Sequence, residues 1–308
     1  MIASPATIVR ALRLPFTTAS LLPYVYGSLL PEGAFRPLPF ALGLTAAVCT
    51  HLAANLANDF ADSASGADDL DPTYYGFFGG SKLIQEGRLT PRFYRNAAVG
   101  FALAATAAAA GLASVLGRPE ALFLFGAVLF LAFSYSCRPL RLAYRSLGEA
   151  AVLVLFGPVA VVAGAYAQTG SFPSPGVWLL SLPFGLLTAA ILLANEVPDA
   201  REDAAVGKRN LVAWTGPARA FRLFAALVTA AYLAILAAIA LGLAGPLAMA
   251  ALATLPLAWW AGRVLRDGHE VKPQLLRSSR MTIILHTTVS LALIADVLAS
   301  RAGAWPAS

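Results

Sequence analysis

Nine apolar runs, each close to the length that crosses a bilayer, constrain this chain more than any other feature. A helix needs about 20 predominantly apolar residues to span the hydrocarbon core. Irregular loops and open sheet edges are excluded there, because their backbone N–H and C=O groups would lack hydrogen-bond partners. Because 58% of the residues are hydrophobic and only 12% are charged, an ordinary soluble domain is excluded. We predict an all-α integral membrane protein with nine transmembrane helices. The runs lie at about 12–30, 37–59, 95–116, 119–137, 147–168, 176–196, 220–242, 245–265 and 282–301.

The basic residues separate when the nine runs are threaded alternately across the membrane. Of 22 Lys and Arg residues, only Arg36, Arg118 and Arg301 fall on one side. The positive-inside rule then predicts a multi-pass protein of the cytoplasmic membrane, with the N-terminus and the long polar loops in the cytoplasm. This bias toward the cytoplasmic side accounts for the net charge of +6, so no nucleic-acid partner is expected. The expected partner is the lipid bilayer. Cys49 and Cys137 lack metal-site spacing and are interpreted as packing residues.

Two short motifs share one pattern and end the second and sixth apolar runs. They are Asn58-Asp59-x-x-Asp62 and Asn195-Glu196-x-x-Asp199. Because these runs are four helices apart and point the same way, we predict an internal repeat of helices 1–4 and 5–8, plus a ninth helix, within a single domain of residues 1–308.

The motifs predict a metal site. Carboxylate and amide oxygens are the ligands that Mg²⁺ prefers. Asp59 and Asp62 are three positions apart, and Asp199 and Asp203 are four apart, so each pair would share a helical face and repel without a cation. The alternative is that they are solvated acids that cap helix ends.

The segments that follow the motifs, 60–94 and 197–219, are acidic first and then carry Gly, Lys and Arg. A metal held by the acids and an anion held by the cations and glycine amides would suit this order. A diphosphate with a long hydrocarbon tail fits both the charges and the apolar helices.

Asn58-Asp59-x-x-Asp62 and Asp199-x-x-x-Asp203 resemble the two aspartate-rich motifs of the UbiA superfamily of intramembrane aromatic prenyltransferases. Other stretches resemble its menaquinone branch, the 1,4-dihydroxy-2-naphthoate polyprenyltransferases. Those stretches are Arg13-Leu14-Pro15-Phe16-Thr17-Thr18, Gly79-Gly80-Ser81, Tyr135-Ser136-Cys137-Arg138-Pro139, and Gly148-Glu149 leading to Phe156-Gly157-Pro158.

The resemblance implies a bundle of nine helices around a central cavity, capped by two cytoplasmic aspartate-bearing loops. It also implies Mg²⁺-dependent ionisation of a polyprenyl diphosphate and attack by an aromatic acceptor. Its metal ligands would be Asn58, Asp59, Asp62, Asp68, Asn195, Asp199 and Asp203, of which Asp62 and Asp199 would be catalytic. Its diphosphate ligands would be Asn58, Lys82, Arg138 and Lys208. Many members carry a third Asp where this chain has Gly66, and that role could pass to Asp68 or Asp69.

Two further side chains have both a functional and a structural interpretation. Tyr135 could act in catalysis, by stabilising the allylic cation or meeting the diphosphate, or could be an interfacial tyrosine. His51, about two turns before Asn58, could orient or deprotonate the acceptor, or could be a satisfied polar group between helices.

The leading hypothesis is an enzyme that prenylates 1,4-dihydroxy-2-naphthoate in menaquinone biosynthesis, with release of the carboxyl group as CO₂. Homogentisate or 4-hydroxybenzoate is the alternative acceptor. A cation-coupled transporter is a third possibility, although its acids would be expected near the membrane midplane.

Overall fold

The structure, a computed structural model, describes residues 4–303, which are mainly helical and contain no β-strand. This all-α architecture is what the apolar runs predict. A π-helical segment, Leu155–Val159, joins α7 to α8, and 3₁₀ segments lie at Leu14–Thr17, Leu142–Tyr144 and Pro246–Thr254. The α-helices are α1 Pro5–Ala11, α2 Thr18–Leu29, α3 Pro37–Ser65, α4 Ala67–Leu70, α5 Pro91–Leu116, α6 Glu120–Ser134, α7 Gly148–Val154, α8 Ala160–Thr169, α9 Gly176–Ala205, α10 Leu211–Thr215, α11 Pro217–Ala240, α12 Leu255–Asp267 and α13 Lys272–Arg301.

Seven helices within residues 4–303 are long and apolar enough to cross a membrane. Two of them are composite, because α7 continues into α8 and the 3₁₀ segment at Pro246 continues into α12. The two other apolar runs form the shorter helices α2, of 12 residues, and α6, of 15 residues. The seven spanning helices are Pro37–Ser65, Pro91–Leu116, Gly148–Thr169, Gly176–Ala205, Pro217–Ala240, Pro246–Asp267 and Lys272–Arg301.

Helices α3 and α9 are longer than the apolar runs that predict them. The runs end near residues 59 and 196, whereas the helices continue to Ser65 and Ala205. The predicted acids therefore lie on the last turns of helices rather than in loops. Helix α3 ends at Ser65 and is capped by Gly66, whose positive φ of 80° is a conformation that glycine adopts without steric cost.

Close backbone contacts fix the helices that surround the site. A Cβ placed on Gly157 would lie 2.8 Å from the Gly185 Cα, so the π-helical segment and α9 pack with almost no side chain between them. Small residues allow such an approach between membrane helices. Pro158, which has no N–H to donate, lies in the same π-helical segment. This packing directs the neighbouring Phe156 toward a cavity.

The apolar core is largest among the later helices, where Phe184, Leu187 and Phe224 are almost fully buried. A smaller cluster around Leu56 and Tyr94 joins α3 to α5. A large cavity remains between α2, α3, α6, α8 and α9, each of which contributes side chains to its wall.

Candidate active site

The cavity has a volume of about 1040 Å³ and combines a charged end with an apolar remainder. The charged end is formed by the last turns of α3 and α9 and by the segment 71–82. The apolar walls include Leu124 and Val128 of α6, Phe156, and Ala160 of α8. Most predicted site residues line it, namely Asn58, Asp62, Asp68, Lys82, Tyr135, Asn195, Asp199, Asp203 and Lys208.

The motif on α3 presents two side chains to the cavity and one away from it. The Asn58 amide donates to Asp62 Oδ2 at 3.1 Å and to Ser136 Oγ at 3.0 Å, which fixes both cavity-facing groups. Asp59 does not line the cavity; it is 2% exposed and forms an ion pair with Arg13. Its second oxygen is buried without a hydrogen-bond partner in the described structure.

The motif on α9 is held by backbone and amide donors. Asp199 Oδ2 accepts a hydrogen bond from the Gly79 N–H at 3.0 Å, which ties α9 to the segment that follows the first motif. The amide of Asn210 donates to Asp203 Oδ2 at 3.1 Å. Asn195 lines the cavity, and its side-chain oxygen is buried without a partner among residues 4–303.

Lys208 joins the two motifs. Its Nζ lies 2.9 Å from Asp62 Oδ1 and 3.1 Å from Asp203 Oδ1, and its side chain is only 12% exposed. Burial disfavours the charged ammonium, but the two carboxylates outweigh that cost and raise the pKa of Lys208 well above its ordinary value. The lysine therefore remains a cation in the mouth of the cavity.

A second buried ion pair lies beside the first. Lys82 Nζ is 2.8 Å from Asp68 Oδ1, and both side chains are buried. Burial raises the pKa of Asp68, and the Lys82 charge opposes that rise. A Cβ on Gly80 would lie 3.3 Å from side-chain atoms of Arg13, Asp59 and Asp68, and its φ of 78° is left-handed, so only glycine fits this turn.

Two cations at the site were not assigned by the sequence. Lys272, at the start of α13, lies 2.6 Å from Asp71 Oδ2 and 3.0 Å from Glu202 Oε1. Arg13 pairs with Asp59 and lines the cavity. Arg13 lies in a stretch that carries the family resemblance, whereas Lys272 is far from both motifs along the chain and offers no such signal.

Tyr135 and Arg138 are separated by the structure. The Tyr135 ring lines the cavity and packs on Gly148, where an added Cβ would lie 3.1 Å from it. Arg138 is exposed, does not line the cavity, and its role as a diphosphate ligand stays a prediction.

The donor set fits Mg²⁺, although the described residues contain no ready group of three His, Cys, Asp or Glu side chains around one point. In the described structure Lys208 pairs with both Asp62 and Asp203. The unpartnered Asn195 oxygen and the cavity-lining carboxylates of Asp62, Asp199 and Asp203 are oxygen ligands of the kind that Mg²⁺ prefers.

Spanning helices around a cavity with a charged mouth and apolar walls define a multi-pass membrane protein. The chain belongs to the UbiA prenyltransferase family, whose profile matches residues 20–284. This confirms the resemblance that the motifs indicated.

Curated relatives and solved structures agree with this family. The chain is 32% identical to the 1,4-dihydroxy-2-naphthoate octaprenyltransferase of Mycobacterium tuberculosis over 74% of each chain. It is 30% identical to the 2-carboxy-1,4-naphthoquinone phytyltransferase of Synechocystis over 67% of this chain, and the match spans less than two thirds, 65%, of that relative. A UbiA homologue from Aeropyrum pernix has the same fold, with a TM-score of 0.69, 22% identity, and coverage of 91% of this chain and 97% of that one.

A UbiA homologue from Archaeoglobus fulgidus, whose structure is bound to DMAPP and Mg²⁺, also shares the fold. Its TM-score is 0.61 at 16% identity, with coverage of 93% of this chain and 98% of that one.

Proposed function

We propose that this protein transfers a polyprenyl group from an allylic diphosphate to an aromatic acceptor, 1,4-dihydroxy-2-naphthoate. The observation that carries the proposal is the convergence of Asp62 and Asp203 on Lys208 at the mouth of an apolar cavity. Opposite charges at a cavity mouth suit a metal-bound diphosphate, and the walls below suit a hydrocarbon chain.

The ligand would rearrange the ion pairs rather than meet a preformed vacancy. Mg²⁺, when bound, would neutralise the diphosphate and help it leave as an anion. Asn58, Asp62, Asp199 and Asp203 are the core metal ligands in this proposal, with Asp59, Asp68 and Asn195 supporting them. Lys82 and Lys208 would then turn their ammonium groups to the phosphate oxygens, because the acids that pair with them are neutralised by the metal.

Tyr135 has a separate role in the proposal. Tyr135 lines the cavity, and the next residue, Ser136, accepts a hydrogen bond from Asn58, so we expect its ring near the point where positive charge would develop on the prenyl chain as the diphosphate leaves. The face of an aromatic ring attracts a cation. We expect Tyr135 to stabilise this charge in a space from which the apolar walls exclude water.

The proposed topology has nine crossings, with α2 and α6 as the two short ones. The N-terminus and the acidic ends of α3 and α9 face the cytoplasm in this arrangement, as the basic residues indicate. The single domain would contain the internal repeat that the paired motifs predict.

The acceptor is inferred from the relatives. Two of them carry names that specify a naphthoate or naphthoquinone acceptor, and the A. fulgidus homologue binds DMAPP with Mg²⁺. These properties support the same substrate class here. The phenolic acids homogentisate and 4-hydroxybenzoate are the alternative acceptors that the test includes.

The test is a transfer assay with detergent-purified protein, Mg²⁺, geranylgeranyl diphosphate and each acceptor in turn, read by mass spectrometry. We expect a prenylated, decarboxylated naphthoquinol, lost on chelation with EDTA and restored by Mg²⁺. The Asp62→Ala and Asp199→Ala variants should give none. A different prenylated phenol would retain the activity and change the acceptor, whereas no metal-dependent diphosphate release with any acceptor would contradict the enzyme proposal and favour a carrier.

A further inference from the structure

A polar pair lies in the wall of the cavity, away from the charged mouth. Ser20 of α2 and His51 of α3 both line the cavity, and Ser20 Oγ lies 2.9 Å from His51 Nδ1. His51 precedes Asn58 by two helical turns, or roughly 10 Å along the axis. The pair therefore lies deeper in the cavity than the acids, by about the length of an aromatic ring system. Neither residue is among the proposed metal and diphosphate ligands.

The hydrogen bonds of Ser20 favour one tautomer of His51. The Ser20 hydroxyl donates its one proton to the Thr17 carbonyl at 3.1 Å, so it accepts from His51. The Nδ1 of His51 is thus the N–H donor. In a neutral imidazole the other nitrogen, Nε2, is then a hydrogen-bond acceptor, and no described residue donates to it.

The surroundings of His51 suit an aromatic ligand with a hydroxyl group. The Phe156 ring packs edge-on against the imidazole, with centroids 4.9 Å apart at 75°. Asn55, one turn nearer the mouth, also lines the cavity, and its amide nitrogen is buried without a partner among the described residues. An unpaired buried donor and an open ring nitrogen are costly unless a ligand or water satisfies them. A hydrocarbon tail can satisfy neither.

We infer that His51, oriented by Ser20, is the binding subsite for a phenolic hydroxyl of the aromatic acceptor, which donates its hydrogen bond to His51 Nε2. This inference rests on the proposed prenyl transfer and adds the position of its second substrate. Asn55 donates to an oxygen of the same molecule, and Phe156 contacts its ring. The prenyl chain then lies along the apolar walls of α6 and α8.

Two substitutions at one position separate the two nitrogens of the ring. Asparagine reaches as far as Nδ1, so His51→Asn keeps a partner for Ser20 and removes the acceptor in the cavity. Glutamine reaches as far as Nε2, so His51→Gln keeps an acceptor there. We expect the acceptor KM to rise about tenfold in His51→Asn, the loss of about one hydrogen bond. His51→Gln should recover most of this loss, with an acceptor KM well below that of His51→Asn, and the KM for the prenyl diphosphate should be unchanged in both.

Thr50→Val is the matched control. Thr50 lines the same cavity next to His51, but its hydroxyl already donates to the Ala46 carbonyl at 2.8 Å within its own helix. Removing it should leave the acceptor KM unchanged. Equal losses in His51→Asn and Thr50→Val, or a change in the prenyl diphosphate KM instead, would overturn the subsite.

A measurement on the wild-type protein does not depend on how well a variant folds. The probes are 2-naphthoate and its 1-hydroxy and 4-hydroxy derivatives, each measured as a competitor of 1,4-dihydroxy-2-naphthoate. At least one hydroxylated compound should inhibit about tenfold more strongly than 2-naphthoate, and His51→Asn should abolish that advantage. Equal inhibition by all three would contradict the subsite while prenyl transfer persists; a wild-type protein that prenylates no phenol would refute the proposed function itself.

Discussion

The ammonium nitrogen of Lys208 lies 2.9 Å from Oδ1 of Asp62, a residue on the end of a helix from the other half of the chain. The same nitrogen lies 3.1 Å from Asp203 on α9. One side chain thus neutralises an acid from each of the two motif-bearing helices. In the proposed reaction the metal and the lysine share these acids, and this sharing has consequences for stability that can be measured.

Removing the charge of Lys208 should make the protein depend on Mg²⁺ for its stability. In Lys208→Met, Asp62 and Asp203 face each other without a cation, and breaking a buried ion pair in this way costs about 3–5 kcal/mol. We expect a lower midpoint of thermal unfolding in EDTA, and a larger upward shift on adding Mg²⁺ than wild type shows. Arg266→Met, at an exposed ion pair, should do neither. If Mg²⁺ stabilises Lys208→Met no more than wild type, the metal does not bind these acids.

The second acidic position after the first motif can be assigned by paired substitutions. The sequence offers Asp68 and Asp69 as alternatives. In the structure Asp68 is buried, lines the cavity and pairs with Lys82, whereas Asp69 is exposed. Asp68→Asn should lower kcat for prenyl transfer by about a hundredfold, as loss of a charge-stabilising group in an active site does. Asp69→Asn should leave it near wild type. The reverse order of effects would assign the role to Asp69.

The sequence could predict the helical class, the two motifs and their meeting because each has a local signal. The apolar runs predict where the helices lie, and the repeated motif predicts which acids belong to the site. A role for Arg138 is harder to predict, since Tyr135, three positions earlier in the chain, lines the cavity and Arg138 does not. The ion pairs of Lys272 depend on where α13 begins relative to α9, which is a tertiary relationship with no local pattern. The apolar runs underestimate the lengths of α3 and α9, because acids are typical of helix ends in a sequence, whereas here salt bridges neutralise them within the fold.

Lys272 should act by positioning the two acidic segments. It bridges Asp71, in the segment after α4, and Glu202, near the end of α9, and it does not line the cavity. Lys272→Met should therefore raise the KM for prenyl diphosphate about tenfold, because the lost ion pairs no longer order the mouth of the site, while the acceptor KM changes little. Lys272→Arg should recover most of the affinity. An unchanged prenyl diphosphate KM in Lys272→Met would mean that the bridge is structural only.

The apolar end of the cavity should select the length of the prenyl chain. Ala163 of α8 and Leu124 of α6 both line the cavity and are both exposed, so we expect the cavity to open toward the lipid between these two helices. A long chain bound with its diphosphate at the acids would leave through this opening. Ala163→Phe narrows this opening and should reduce transfer from geranylgeranyl diphosphate about tenfold or more relative to geranyl diphosphate. We expect the longer geranylgeranyl chain to have to pass the new ring, and the shorter geranyl chain to end before it.

Ala104→Phe, at an exposed position of α5 outside the cavity, is the matched control and should not change the preference. The ratio of products from an equimolar mixture of the two diphosphates gives the result directly. An equal loss with both donors would mean that the chain takes another path.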